Sequence, residues 1–316
     1  MIWYQGENNV RNVAGSVANK TGYACQMASM IADWRAIWSA IPGTTAATFP
    51  FGVTQLAGSC SEGFPANTGA FRRSQTGGYG TLPNAAMPNT FLGQAFDLGD
   101  PWQPGCRKTG ACFGWDAPFS ENRTHNYENS AIHPRPKEPL GGRLARAAIA
   151  QHYTKGTPLL PVLASCTSEG GADSGGAGRP IGLELSFSGL GGAGLAEPTF
   201  SPRWPGASAV ELKIDGNWTF IETIGLELSR VSPEKIGLQL PAAGVVSGLR
   251  YAWSDNPCCG GSNLGGNNRT VDACPPMACP LLTAGALPEP VVPFLARLEN
   301  GANGALVCVC DAPMVC

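Results

Sequence analysis

The sequence predicts an α/β domain followed by an antiparallel β-sandwich. Three observations carry that prediction. Over residues 1–157, short apolar runs rich in strand formers alternate with stretches of helical period. Residues 154–180 are then dense in Gly, Ser and Pro and read as a seam between domains. Beyond them, short alternating runs separated by turn residues recur at 181–187, 209–214, 218–224, 235–240 and 245–253. The domains are therefore drawn at 1–157 and 158–290, with a Cys-rich tail at 291–316.

Taken in order, Met1, Ile2, Trp3 and Tyr4 have the character of the end of a buried strand, and a polar turn of Gln5, Gly6, Glu7 and Asn8 follows. In open α/β sheets ligands collect beyond the carboxyl ends of strands, so this turn either presents an amide and a carboxylate to a substrate or caps a helix. Between 23 and 39, Met27, Met30, Ile31, Trp34, Ile37 and Trp38 recur at helical spacing, and Pro42-Gly43 ends the run. On that helix Asp33 and Arg35 read as solvated or paired groups. Strands are expected at 49–56 and 90–98, the latter ending in Asp97. The polar, Gly-rich stretch 57–88 reads as a loop, in which Arg72, Arg73 and Gln75 are either substrate contacts or a solvated face. Residues 99–126 read as a second long loop.

The stretch 128–153, ENSAIHPRPKEPLGGRLARAAIAQHY, is the other candidate for chemistry. Pro134 fixes its own φ and keeps His133 extended. A helix follows in which Leu144, Ala148 and Ile149 share a face. An imidazole on a stiff loop just ahead of a helix suits a general base, and equally describes a surface histidine.

Composition excludes several classes. Charged residues make up 14% of the chain and the formal net charge is -2, so no basic stripe is available for nucleic acid. No apolar run reaches the about 18 residues that a membrane span requires. The 12 cysteines favour disulfides in an oxidising compartment over zinc, since no His lies near Cys274 and Cys279 or near Cys308 and Cys310. Sequons at Asn19, Asn122, Asn217 and Asn268 agree with a secretory route, giving a secreted or lysosomal glycoprotein. No signal peptide opens the chain, which is expected to lack its N-terminal part. No cofactor or metal is expected.

WYQGENN at 3–9 and IHPRPKEPLGGRLA from Ile132 resemble blocks of the sialate O-acetylesterases, a family of SGNH-type carbohydrate esterases. So do DWR at 33–35, FPFGVTQL at 49–56, GFP at 63–65, MPNTF at 87–91, LRYAW at 249–253 and ALPEPVVPF at 286–294. The order is preserved over most of the chain. The resemblance implies an incomplete SGNH-hydrolase (flavodoxin-like) three-layer domain ahead of the sandwich. Its implied chemistry is removal of acetyl groups from an O-acetylated carbohydrate, sialic acid favoured, by acyl transfer through Ser to water. His133 is the implied base, and Gln5, Gly6, Glu7 and Asn8 the implied substrate or oxyanion contacts.

Two departures stand out. The family's nucleophile lies in a Gly-Gln-Ser-Asn block that this sequence lacks; Gly93-Gln94-Ala95 is the nearest string and has no Ser. Where SGNH enzymes usually place an Asp two or three residues before the His, this chain has Ala131 and Ser130. Either Glu128 or Asp116 takes that part, or the site runs as a dyad. The chain alone is expected to be inactive, and to associate with a missing N-terminal segment. A non-catalytic, secreted glycan-binding protein derived from an esterase is the rival reading.

Overall fold

A computed structural model describes residues 1–12, 20–57, 65–98, 115–116, 126–127, 137–153, 160–168, 182–198, 209–254, 257–258, 277, 279–301 and 304–310. Within them, strands β1 (Ile2–Trp3), β2 (Phe51–Gln55) and β3 (Thr90–Gln94) pair in parallel in that order. Every residue of β2 and β3 is buried. That is why they read as continuous apolar runs, since helices cover both faces of a parallel sheet.

Helices α1 (Glu7–Asn12), α2 (Lys20–Ser39) and α3 (Pro65–Ser74) precede β3 in the chain, and α4 (Lys137–Ala148) follows it. Tyr23, Met27 and Ile31 of α2 pack with Phe71 of α3 against Phe51, Val53 and Leu92. Leu140, Leu144 and Ala147 of α4 pack with Phe91, Ala95 and Leu98. Leu92 and Phe91 are adjacent on β3, so the two clusters occupy opposite faces of the sheet. The expected face of α4 is corrected: Leu144 is buried, but Ile149 is 49% exposed and begins a π-helical turn, Ile149–Tyr153. Arg143 takes a place on the buried face instead.

Several sequence readings also change here. Residues 57–88 are not all loop, because α3 lies within them. Its Arg72 is fully buried and donates to the carbonyls of Leu56 at 3.0 Å, Ala252 at 3.1 Å and Ser254 at 2.9 Å. Arg35 is buried rather than solvated, and donates to the carbonyls of Phe49, Pro88 and Asn89, where β2 and β3 begin. Polar side chains without periodicity looked like surface; tertiary hydrogen bonds to carbonyls make them interior.

The remaining long strands form one nine-stranded antiparallel sheet that curls around a single core, in place of the two separate sheets expected. They are β6 (Val162–Ser168), β7 (Gly182–Ser188), β8 (Val210–Ile214), β9 (Asn217–Phe220), β10 (Leu228–Ser232), β11 (Lys235–Gln239), β12 (Val246–Tyr251), β13 (Phe294–Asn300) and β14 (Leu306–Cys310). Their order is β10-β11-β7-β6-β14-β13-β12-β8-β9. A short pair, β4 (Trp115–Asp116) and β5 (Asn126–Tyr127), stands apart. Asp215 and Gly216, with φ of 47° and 85°, make the two-residue turn between β8 and β9 that an Asp-Gly pair favours.

Strand β6 arises inside the stretch read as a seam. Strands β13 and β14 arise inside residues 291–316, read as a Cys-rich tail, and sit in the middle of the sheet. The Cys166–Cys308 disulfide ties β6 to β14 across 142 residues of sequence, and Cys258–Cys279 closes a second bridge. No helix among the described residues is long and apolar enough to cross a membrane.

Candidate functional site

Because β1, β2 and β3 run parallel, their carboxyl ends emerge at one edge of the sheet. Tyr4, Gln5, Gly6 and Glu7 leave β1 there, and Leu56 and Ala57 leave β2. Gly6 makes the turn. It is buried with φ of 134°, and a Cβ placed on it would lie 2.5 Å from the Phe71 ring. Its carbonyl accepts from Asn9 N–H at 2.9 Å and Val10 N–H at 3.1 Å, which opens α1. Only glycine gives both the backbone angle and the clearance at this point.

Gln5 is held on both sides of its peptide. Its carbonyl accepts from the Tyr23 hydroxyl at 3.2 Å and from Gln75 Nε2 at 3.1 Å. Its side-chain Oε1 accepts from the Tyr23 hydroxyl at 3.0 Å, and its Nε2 donates to Asn9 Oδ1 at 3.1 Å. Gln75, in turn, is fully buried and also bonds Thr54 O and Leu56 N–H, so one amide locks the ends of β1 and β2 together. Gln75 thus belongs to the frame under the turn. Burial pushes the Tyr23 phenol up to about 12, which keeps it a hydrogen-bond donor to Gln5 at neutral pH.

Glu7 opens α1 and faces two groups that the sequence reading did not single out. The Tyr4 phenol is pushed far above its usual range, first by burial and then by the Glu7 charge, against a backbone hydrogen bond from Ala57. Lys137, at the start of α4, sets its Nζ 4.8 Å from the centre of the Tyr4 ring. Desolvation lowers the Lys137 ammonium, and Glu7 acts in the opposite direction. The turn after β1 and the first residue of α4 therefore meet. Tyr4 and Lys137 each stand inside a quoted sequence block, but no spacing within the chain joins residues 133 apart.

Of the sequence-derived candidates, Gln5, Gly6 and Glu7 come together at this edge. Asn8 lies in α1 with its side chain outside the described residues. His133 and Glu128 lie outside the described residues. Asp116 is on β4, paired with Asn126 on β5, two positions before Glu128 in the chain.

A second polar cluster fastens α4 behind the same edge. Arg143 donates to both carboxylate oxygens of Asp97, at 2.6 and 2.7 Å, and to the carbonyls of Gln94 and Pro288. Arg146 donates to Glu289 Oε2 at 2.8 Å. Glu289 is 6% exposed, and burial pushes its carboxyl up to about 7 against the pull of Arg143 and Arg146. A carboxyl that is harder to ionise folded than unfolded stabilises the fold fully below about pH 4.5, and that contribution is lost as pH rises through about 7. The contribution of Glu289 to the unfolding free energy is expected to fall on the order of 3 kcal/mol over that window, and Glu289→Gln to remove that part of the slope. Urea midpoints taken from pH 4.5 to 7.5 check it; equal slopes for the two proteins would remove Glu289 as the cause.

No protein-family model matches the chain. Sialate O-acetylesterase of Rattus norvegicus is 35% identical over 159 residues, covering 48% of this chain and 23% of the rat protein. The Homo sapiens protein of the same name is 27% identical over 321 aligned residues, covering 96% of this chain and 47% of its own length. The chain is similar to the sialate O-acetylesterase family along nearly its whole length. Its resemblance to that family in the Trp3–Asn9 and Ile132–Ala145 blocks is thus upheld by relatives aligned along nearly the whole chain. The chain spans less than half the length of the curated sialate O-acetylesterases it matches. A carbohydrate acetylesterase from Xanthomonas citri, known from a crystal structure, has a TM-score of 0.55 with 23% identity, covering 93% of this chain and 49% of that one. At that identity the likeness is one of fold.

Proposed function

We propose that this protein serves as a carbohydrate O-acetylesterase, with its reaction site at the carboxyl edge of β1–β3. The observation that carries the reading is the meeting of the Tyr4–Glu7 turn with Lys137. His133 precedes Lys137 by four residues, a distance that an extended chain covers in at most about 14 Å. The likeness to the sialate O-acetylesterases supplies the reaction class.

In this reading a serine Oγ attacks the acetyl carbonyl while His133 takes its proton. The sugar oxygen then leaves with that proton, and water repeats the sequence to release acetate. Gln5 and Glu7 border the reacting group, and Gln5 has a second amide N–H that makes no hydrogen bond among the described residues. Lys137 adds positive charge beside the developing oxyanion. Glu128 or Asp116 orients the imidazole. The serine comes from a polypeptide carrying the Gly-Gln-Ser-Asn block that these 316 residues lack, and the acetylated sugar is a sialic acid, reached in the secretory pathway.

The test is reconstitution. The 316-residue chain alone is expected to release acetate from an O-acetylated sialic acid at background rate. Joined to a polypeptide bearing the serine block, it is expected to turn over at least about 100-fold faster, and His133→Ala to abolish the gain. An inert reconstituted protein, or one indifferent to His133→Ala, would overturn the assignment.

A further inference from the structure

Of the four sequons, Asn217-Trp218-Thr219 lies among the described residues, and Asn19, Asn122 and Asn268 lie outside them. Asn217 is the first residue of β9. It follows the tight turn of Asp215 and Gly216, whose φ of 47° and 85° bring β9 back along β8. Side chains alternate along a strand, so Asn217 and Thr219 project to one side of β9 and Trp218 to the other. The indole packs against Arg250 on that other side and does not stand over the amide.

The corner is open. Asn217 is exposed, and a Cβ built on Gly216 would meet no described atom within 4 Å. Strand β9 ends the strand order of its sheet, so its outer side pairs with no described strand. The fold makes little use of the amide: Nδ2 donates to the Asp215 carbonyl at 3.5 Å, a long and weak hydrogen bond.

We propose that Asn217 carries an N-linked glycan. The donor is a lipid-pyrophosphate-linked oligosaccharide. Nδ2 bonds to C1 of its first sugar, the C1–O bond to the pyrophosphate breaks, the lipid pyrophosphate leaves, and Nδ2 gives up one proton. Thr219 supplies the hydroxyl at the third position of the acceptor pattern. Transfer precedes folding, so what the fold has to provide is room for the sugar, and the corner after Gly216 provides it. The modification requires passage through an oxidising secretory compartment. Two disulfides favour that route: Cys166–Cys308 joins neighbouring strands in the middle of the sheet, with Cys166 3% exposed, and Cys258–Cys279 closes a second bridge. The site is remote in function from the edge of β1–β3 and stands whether or not the chain takes part in ester hydrolysis.

The test is a mass measurement on the 316-residue chain, led into the secretory route of a eukaryotic host by a cleavable leader and recovered from medium or lysed cells. Peptide N-glycosidase in heavy-oxygen water turns a glycosylated Asn into a labelled Asp. At least about half of the peptide containing residue 217 is expected to gain about 3 Da, with the label kept in Thr219→Ser and below about a tenth in Thr219→Ala. Spontaneous deamidation gives the same label without needing the hydroxyl, so Thr219→Ala tells the two apart. A peptide that keeps the mass of unmodified Asn217, or a label as high in Thr219→Ala as in wild type, would overturn the assignment.

Discussion

An Arg143→Met protein is expected to be less stable than wild type by roughly 3–5 kcal/mol, the cost of leaving a buried carboxylate without its partner. Both side chains of the Arg143–Asp97 pair are 0% exposed. The guanidinium also satisfies the carbonyls of Gln94 and Pro288, so methionine fills the volume while stranding Asp97 and two backbone acceptors. Removing the carboxylate as well, in Arg143→Met/Asp97→Leu, is expected to restore a large part of the loss, because no uncompensated charge then remains. Urea unfolding of the three proteins measures this. A single variant within about 1 kcal/mol of wild type would show that the pair contributes little more than its packing. The consequence reaches the candidate site, since Arg143 fixes α4 against β3 and α4 begins at Lys137.

Gly6→Ala is the second large effect expected. An L-residue at φ of 134° costs about 1–3 kcal/mol in backbone strain. The new methyl group, 2.5 Å from the Phe71 ring and 3.2 Å from the Tyr23 hydroxyl, adds about 1–3 kcal/mol of overpacking. Relief requires moving Phe71, which is fully buried between α2 and β2, or parting Tyr23 from Gln5. The melting temperature is expected to fall by roughly 10 °C. Any reconstituted esterase activity should fall further than stability alone explains, because the Gln5–Glu7 turn shifts. A Gly6→Ala protein that melts with wild type would mean the turn adapts freely and has no defined geometry to offer a substrate.

The strands and long helices were legible wherever one face of an element dominates. Met27 and Ile31 at helical spacing marked α2, and the apolar runs around Val53 and Leu92 marked β2 and β3. The chemical blocks were legible too, since Gln5-Gly6-Glu7 and the residues leading to Lys137 stand in recognisable strings. Less legible were α3, whose buried residues Arg72, Arg73 and Ser74 are polar, and β6, β13 and β14, whose runs are broken by Ser, Thr, Glu and Cys. A polar side chain gives the same signal to a pattern reader whether it ends in water or against a buried carbonyl.

By itself the sequence determined most of the local elements and the likeness to the sialate O-acetylesterases, because propensity, periodicity and short motifs act over a few neighbouring positions. Only the tertiary structure decided that Lys137 meets Tyr4 and Glu7, that Arg143 grips Asp97, and that the last strands enter the middle of the sheet. Each of those joins residues tens to hundreds of positions apart. Such contacts are selected by burial and by the need to pair every buried charge, and neither leaves a repeat in the chain that a local reading detects.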